Sequence, residues 1–229
     1  MPKFVPKTKR ELQELISDES VYLGDIDTSN ITDMSKLFFE DESGTEIHRL
    51  DFSGISSWDV SKVTDMSHMF EYCYVFNENI SGWDVSSVKN MERMFDECNF
   101  FAQDISSWDV SGCENMSGMF SGCYAFNQPL NSWNVSKVRD MIGMFHSCYY
   151  FNQPLDNWDV SSVEFMSFMF DTALSFNADI SGWNVGRFTS VRSMFCCAKS
   201  FKQDISGWKL VDERKKELHK GRNRYSSYV

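Results

Sequence analysis

Three sets of side chains in this sequence have chemistry to offer a ligand. Four of its seven cysteines, Cys73, Cys98, Cys123 and Cys148, fall at intervals of 25 residues. Thiolates so ordered can bind a soft metal or pair as disulfides. Asp59, Asp84, Asp109 and Asp159 keep the same interval, with Asn134, Asn184 and Lys209 at the other positions of the column. Carboxylates stacked about 5 Å apart can hold Ca²⁺. The third set is aromatic: Tyr72, Tyr74, Phe100, Tyr124, Tyr149, Tyr150 and Phe168 occupy positions that are polar or small in other parts of the chain. Large amphipathic rings of this kind anchor protein interfaces. The histidines, His48, His68, His146 and His219, follow no interval and lie in no nucleophile or zinc motif, and no Gly-rich phosphate loop is present. No catalytic, cofactor-binding or metal residue is assigned, and the chain is read as a non-enzyme without cofactors.

Each set also has a structural reading. The cysteine column continues as Ala173 and Ala198, so it asks for something small and apolar. It falls where a helix is expected, and helices set neighbouring units about 10 Å apart. A disulfide needs Cα atoms within about 7 Å. Buried thiols follow, with Cys113 in a valine column and Cys196-Cys197 outside the pattern. The Asp/Asn column can bond its own backbone where the chain turns, so it is read as an acidic strand face rather than a calcium ladder. Asn77, Asn127, Asn152 and Asn177 are read as stacked amides that bond turn backbones. The aromatic set is either a sticky edge or extra packing at turn corners, and the sequence leaves both open.

The element that must position all of these is a repeat. The seven tryptophans are Trp58, Trp83, Trp108, Trp133, Trp158, Trp183 and Trp208, every interval being 25. Val60 to Val185, the Met-Phe pairs from Met69-Phe70 to Met194-Phe195, and Phe76 to Phe201 keep the same register. A fixed period of this length marks stacked units that cannot bury their apolar face alone. Within one unit, Ile80, Trp83, Val85 and Val88 have leucine-rich-repeat spacing, and Trp83-Asp84-Val85 alternates like a strand. Val88, Met91, Met94, Phe95 and Cys98 then recur three or four apart, which predicts a helix after a Ser86 cap.

The resulting expectation is an α/β fold: a leucine-rich-repeat-like right-handed solenoid of about eight strand-helix coils with a parallel sheet on one face. Residues 1–19 are read as an N-terminal capping helix, with Thr8 and Glu11 forming a capping box before Leu12, Leu15 and Ile16. Residues 20–208 are the repeat array, whose degenerate first coil (20–54) has Ile26 in place of Trp and an acidic insertion at 39–54. Residues 209–229 are a C-terminal capping helix, expected over Val211 to Lys220, and a basic tail.

Charge narrows the partners. A net charge of −11 excludes general nucleic-acid binding, which needs a positive surface. No segment is long and apolar enough to insert in a membrane, and the first residues lack the apolar core of a secretory signal. A cytoplasmic or virion-associated location is expected, with the cell surface as the alternative if the start is trimmed.

The block Phe126-Asn127-Gln128-Pro129-Leu130-Asn131-Ser132-Trp133-Asn134-Val135-Ser136, followed by Met141, Met144 and Phe145, resembles the BspA-like surface-protein repeat, also found in mycoplasma surface lipoproteins of unknown function. The resemblance covers roughly residues 20 to 210. It implies a leucine-rich-repeat-like fold and a role as surface antigen, adhesin or protein binder, and it carries over no catalytic residue. Such repeats are numerous in some protists and large DNA viruses. The expected function is therefore a protein-binding or structural scaffold whose partner is a protein, either another copy or a neighbouring subunit in an assembly such as a virus particle. A surface adhesin is the alternative, and an enzyme the less favoured one.

Overall fold

In the computed structural model, which describes residues 3–39 and 49–218, like side chains lie over like from one unit to the next. Phe70, Phe95, Phe120, Phe145, Phe170 and Phe195 form one row of near-parallel rings, spaced 5.6–5.8 Å between centroids. A second row, Phe76 to Phe201, has a spacing of 5.9–6.2 Å. Inside each unit the two rings stack on each other, as Phe70 and Phe76 do at 3.9 Å. The Met, Val and Trp columns fill the remaining interior, and all are buried.

A polar ladder runs through this apolar core. Each indole Nε1–H donates to the backbone carbonyl of an Ile or Leu in the unit before. Trp83 reaches Ile55, Trp108 reaches Ile80, Trp133 reaches Ile105, and so on to Trp208 and Ile180, at 2.9–3.3 Å. The first, Trp58, bonds the Leu23 carbonyl of the degenerate unit at 2.9 Å. That carbonyl column has two duties, since the Ile80 oxygen also accepts from the Trp83 backbone N–H at 3.1 Å. A buried indole N–H without an acceptor is costly, so the bond fixes where each ring must sit.

The α/β solenoid with a parallel sheet is not what the chain forms. Among the described residues there is no sheet: the parallel contacts are isolated bridges, Phe4–Ile26 at the start and then Asp33–Asp65–Asn90–Asn115–Asp140–Phe165–Ser190, one residue per unit. No unit contains an α-helix where one is expected after Ser86, and the Trp83-Asp84-Val85 stretch is not an extended strand. The units are built of consecutive turns, so neither the leucine-rich-repeat description nor the strand-helix coil applies.

The reason lies in the spacing. A helix is about 10 Å across, whereas the Phe rows on one wall and the Trp rings on the other, Trp183–Trp208 at 6.2 Å, advance almost equally per unit. That leaves no wedge in which helices could fan out. The backbone instead serves its neighbours. The N–H groups of Met91, Arg93, Phe95 and Glu97 donate to the carbonyls of Asn115, Ser117, Met119 and Ser121 in the next unit, at 2.7–3.0 Å. The residues between them make short turns, as Met94 N–H does to the Met91 carbonyl. Arg93 and Glu97 are left-handed, with φ of 50° and 61°, and the same two positions are left-handed through the other units. A left-handed residue every fourth position cannot continue an α-helix.

Both ends carry a helix. α1, Lys9–Ser17, begins at Thr8, whose hydroxyl accepts from Glu11 N–H, while Glu11 reaches back to the Lys7 N–H. Leu12 and Ile16 are buried against the first unit. Buried Arg49 fastens the end of this helix by donating to the carbonyls of Ile16, Asp18 and Val21. The degenerate unit stacks in the expected columns, with the N–H groups of Met34, Lys36 and Phe38 donating to Asp65, Ser67 and Met69. At the far end α2, Asp212–Leu218, buries Leu218 and offers the Glu217 carbonyl to Ser193 N–H. Residues 40–48 of the acidic insertion, with His48, and residues 219–229 of the tail, with His219, lie outside the described residues. No helix among the described residues is long and apolar enough to cross a membrane.

Truncating one ring in mid-array tests this core. Trp108→Ala should destabilise by about 3–5 kcal/mol. Trp108→Phe, which keeps a ring but loses the N–H, should cost about 1–3 kcal/mol. Urea unfolding of both variants measures the split, and unchanged midpoints would mean that the ring bears no load.

Candidate interaction surface

Turns set the outer surface, beginning with the Asp/Asn column. Asp59 Oδ1 accepts both the N–H and the hydroxyl of Ser61, and Asp84 does the same for Ser86. Asp109, Asn134 and Asp159 accept from the N–H groups of Ser111, Ser136 and Ser161. These are Asx turns. The expected acidic strand face is thus a row of turn-closing groups on irregular backbone. The serine hydroxyls and N–H groups hold Asp59, Asp109 and Asp159 below the usual carboxylate range. The Asn77 column acts between units: Asn77 accepts from Ala102 N–H, Asn127 from Asn152, Asn152 from Asn177 and Asn177 from Lys202.

The aromatic set gathers just beyond the second left-handed position of the units. Tyr72, itself left-handed at φ 62°, is exposed, as are Tyr74 and Val75 after it. Phe100 and Tyr150 are 64% and 65% exposed, well beyond what corner packing requires. Tyr124 and Tyr149 differ: they are half-buried and stack on each other at 4.7 Å. Phe168 lies at the first left-handed position, φ 62°, and is exposed.

Two further exposed rings fall outside that set. Phe165 replaces the Asp or Asn of the bridge column. Phe188 stands where Val63 to Val163 are buried, yet it is 73% exposed. Its unit turns one residue late. Thr189 N–H bonds the Gly186 carbonyl, in place of the Val163-to-Val160 pairing of the unit before. Thr189 then occupies the interior with its hydroxyl on the Val163 carbonyl, and Phe188 is turned out beside Arg187.

Sequence reasoning missed one column altogether, because its residue types change: Glu71, Asp96, Ser121, His146, Asp171 and Cys196. Stacking makes neighbours of them. Glu71, almost fully buried, takes His68 Nδ1 at 2.5 Å on one oxygen and Arg93 at 3.0 Å on the other. Arg93 also bonds Asp96 at 3.2 Å. Burial opposes the charge on Glu71, but the bonds from His68 and Arg93 outweigh it and hold its carboxyl low. Burial wins at Asp96 and pushes its carboxyl up despite Ser121 and Arg93. Space for the Arg93 and Glu97 side chains comes from Gly118 and Gly122, whose added Cβ atoms would lie 2.9 Å and 2.6 Å from them.

The cysteine column is structural in the same manner. Cys98, Cys123 and Cys148 are buried and donate to the carbonyls of Phe70, Phe95 and Phe120 at 2.9–3.0 Å. The coils here are a hydrogen-bond spacing apart rather than a helix diameter. It is these carbonyl bonds, not distance, that occupy the thiols.

A family model described as Mycoplasma protein of unknown function, DUF285, matches residues 41–148 and 125–220. The chain belongs to this family. No curated protein and no solved structure matches it. The two matched stretches overlap within the Phe126–Phe145 unit and together take in every tryptophan. Within the matched stretches the buried columns repeat from unit to unit, and the aromatic and titratable outer positions are what vary.

The Asx turns give a pH dependence. A carboxylate held below its unfolded value of 3.8 adds stability above that pH, and the contribution disappears as pH falls through the folded value. Replacing Asp59, Asp109 and Asp159 together by Asn, the residue already at 134 in this column, should shrink the loss of melting temperature between about pH 6 and about pH 3. Calorimetry at the two pH values reads it, and an undiminished loss would place the acid sensitivity elsewhere.

Proposed function

We propose that this chain is a non-enzymatic protein-binding scaffold, whose partner docks on the aromatic edge at Tyr72, Tyr74, Phe100 and Tyr150. The observation that carries the reading is that these rings stay exposed at the corners of the stack, even Tyr72 and Tyr74, whose ring centroids lie 6.2 Å apart. Exposed aromatic rings on a rigid frame lose little entropy on binding and make effective anchors. The net charge of −11 adds a preference for a basic partner. A basic neighbouring subunit of an assembly such as a virus particle fits that preference, and a second copy, equally acidic, would have to dock through the aromatic edge alone. Tyr124 and Tyr149, being half-buried, contribute as a stacked pair at the rim of the same edge.

The kinship we draw with BspA-like surface-protein repeats supports a second reading, that of a cell-surface adhesin. It rests on the block Phe126 to Ser136 and on the Mycoplasma family match. Protease shaving of intact cells separates the two readings: release of peptides from this chain favours the adhesin, and their absence favours an internal assembly.

Tyr74→Ser, Phe100→Ser and Tyr150→Ser combined should abolish recovery of a specific co-purifying protein from the native source. The melting transition should move little, within about 0.5 kcal/mol per site for exposed positions. Mass spectrometry of eluates from wild type and variant decides it. An unchanged set of co-purifying proteins would remove the edge from consideration. Tyr124→Ser with Tyr149→Ser should weaken the same association with a smaller stability change; equal loss of both would make that pair packing.

A further inference from the structure

The variable column ends in a cluster that nothing above uses. Asp171, Cys196 and Cys197 each bring one donor atom into a group whose members all lie within 4.8 Å of one another. Their closeness follows from the stack. Asp171 and Cys196 occupy equivalent positions in adjacent units, joined by the bond from Thr172 N–H to the Cys196 carbonyl at 2.7 Å. Cys197 is left-handed, φ 56°, and its sulfur lies 3.7 Å from that of Cys196. In the unit before, His146 comes within 3.8 Å of the Asp171 carboxylate through Nε2.

We infer that Asp171, Cys196 and Cys197 bind a thiophilic divalent cation of the zinc type, with His146 placed beside the Asp171 carboxylate. The distances fit such an ion. Zinc–sulfur bonds of about 2.3 Å in a tetrahedron put two sulfurs about 3.8 Å apart, and the two thiols stand at 3.7 Å. Two sulfurs and a carboxylate are donors zinc accepts, whereas calcium and magnesium select oxygen alone. Three protein donors leave a fourth position for water or an added ligand. His146 has the place of the outer partner that orients a ligating group in many metal sites. An ion here would fasten the last Trp-to-Phe unit to the one before it, next to the terminal helix.

Cobalt(II) is the probe, added to the reduced, metal-free full chain. The expected result is a near-ultraviolet thiolate-to-cobalt absorption that saturates at one equivalent and is bleached by Zn²⁺. Cys197→Ser and Asp171→Asn should each abolish the band, and His146→Ala should weaken binding about 10–100-fold. Absence of the band in the wild type, or its survival in both Cys197→Ser and Asp171→Asn, would overturn the site. A second measurement needs no variant: Zn²⁺ should slow alkylation of Cys197 in the wild type, followed by peptide mass spectrometry. An unaltered rate would overturn the site as well.

Discussion

Everything in this molecule depends on a bond between a buried indole and the unit before it. The Trp Nε1–H finds an acceptor only if the preceding coil is one hydrogen-bond spacing away and in register. All seven tryptophans meet that condition. Once the Trp wall is fixed in this way, the double row of phenylalanines can keep pace with it on the other side, and the turns between them have no freedom to become helices. A shared rise also explains why the outer polar groups work in columns: Asn77, Asn127, Asn152 and Asn177 each serve the next coil because the next coil is always equally far.

The period, the buried columns, the Thr8 cap and the degenerate first unit were legible in the residues, although Glu11 takes the N–H of Lys7 rather than of Thr8 as a capping box would. The backbone path was not. Met91, Met94, Phe95 and Cys98 are three or four apart whether they line a helix or a series of short turns. The feature that distinguishes the two is a pair of left-handed residues, and Arg93, Glu97, His68 and Phe168 do not advertise that conformation by type. Glycine stands at such a position only at Gly118, Gly122 and Gly143 among the inner units. The aromatic edge was visible as residues, but whether it faced water depended on those same turns. The Glu71-to-Cys196 column could be written down from the period alone, yet its chemistry emerges only when adjacent coils bring unlike groups within bonding distance.

Scaffold and outer surface thus obey different rules. Inside, each position repeats because it must match itself above and below. Outside, a position is free of that demand and can hold a tyrosine, a salt bridge or a thiol. The late turn at Gly186 shows how little is needed to change the surface. One residue's shift puts Thr189 inside and Phe188 outside while the Phe165–Ser190 bridge stays in register.

The backbone ladder has a fixed direction at each position: the N–H groups of Met91, Arg93, Phe95 and Glu97 donate to carbonyls of the following coil, whereas Lys89 N–H donates to Thr64 of the preceding one. A whole unit removed or duplicated leaves donors facing acceptors at the new junction, whereas a deletion of another size within the stacked turns breaks the match. Genes for such chains should therefore change length in steps of one full unit, and a lineage can lengthen its platform by recombination without inventing a new fold.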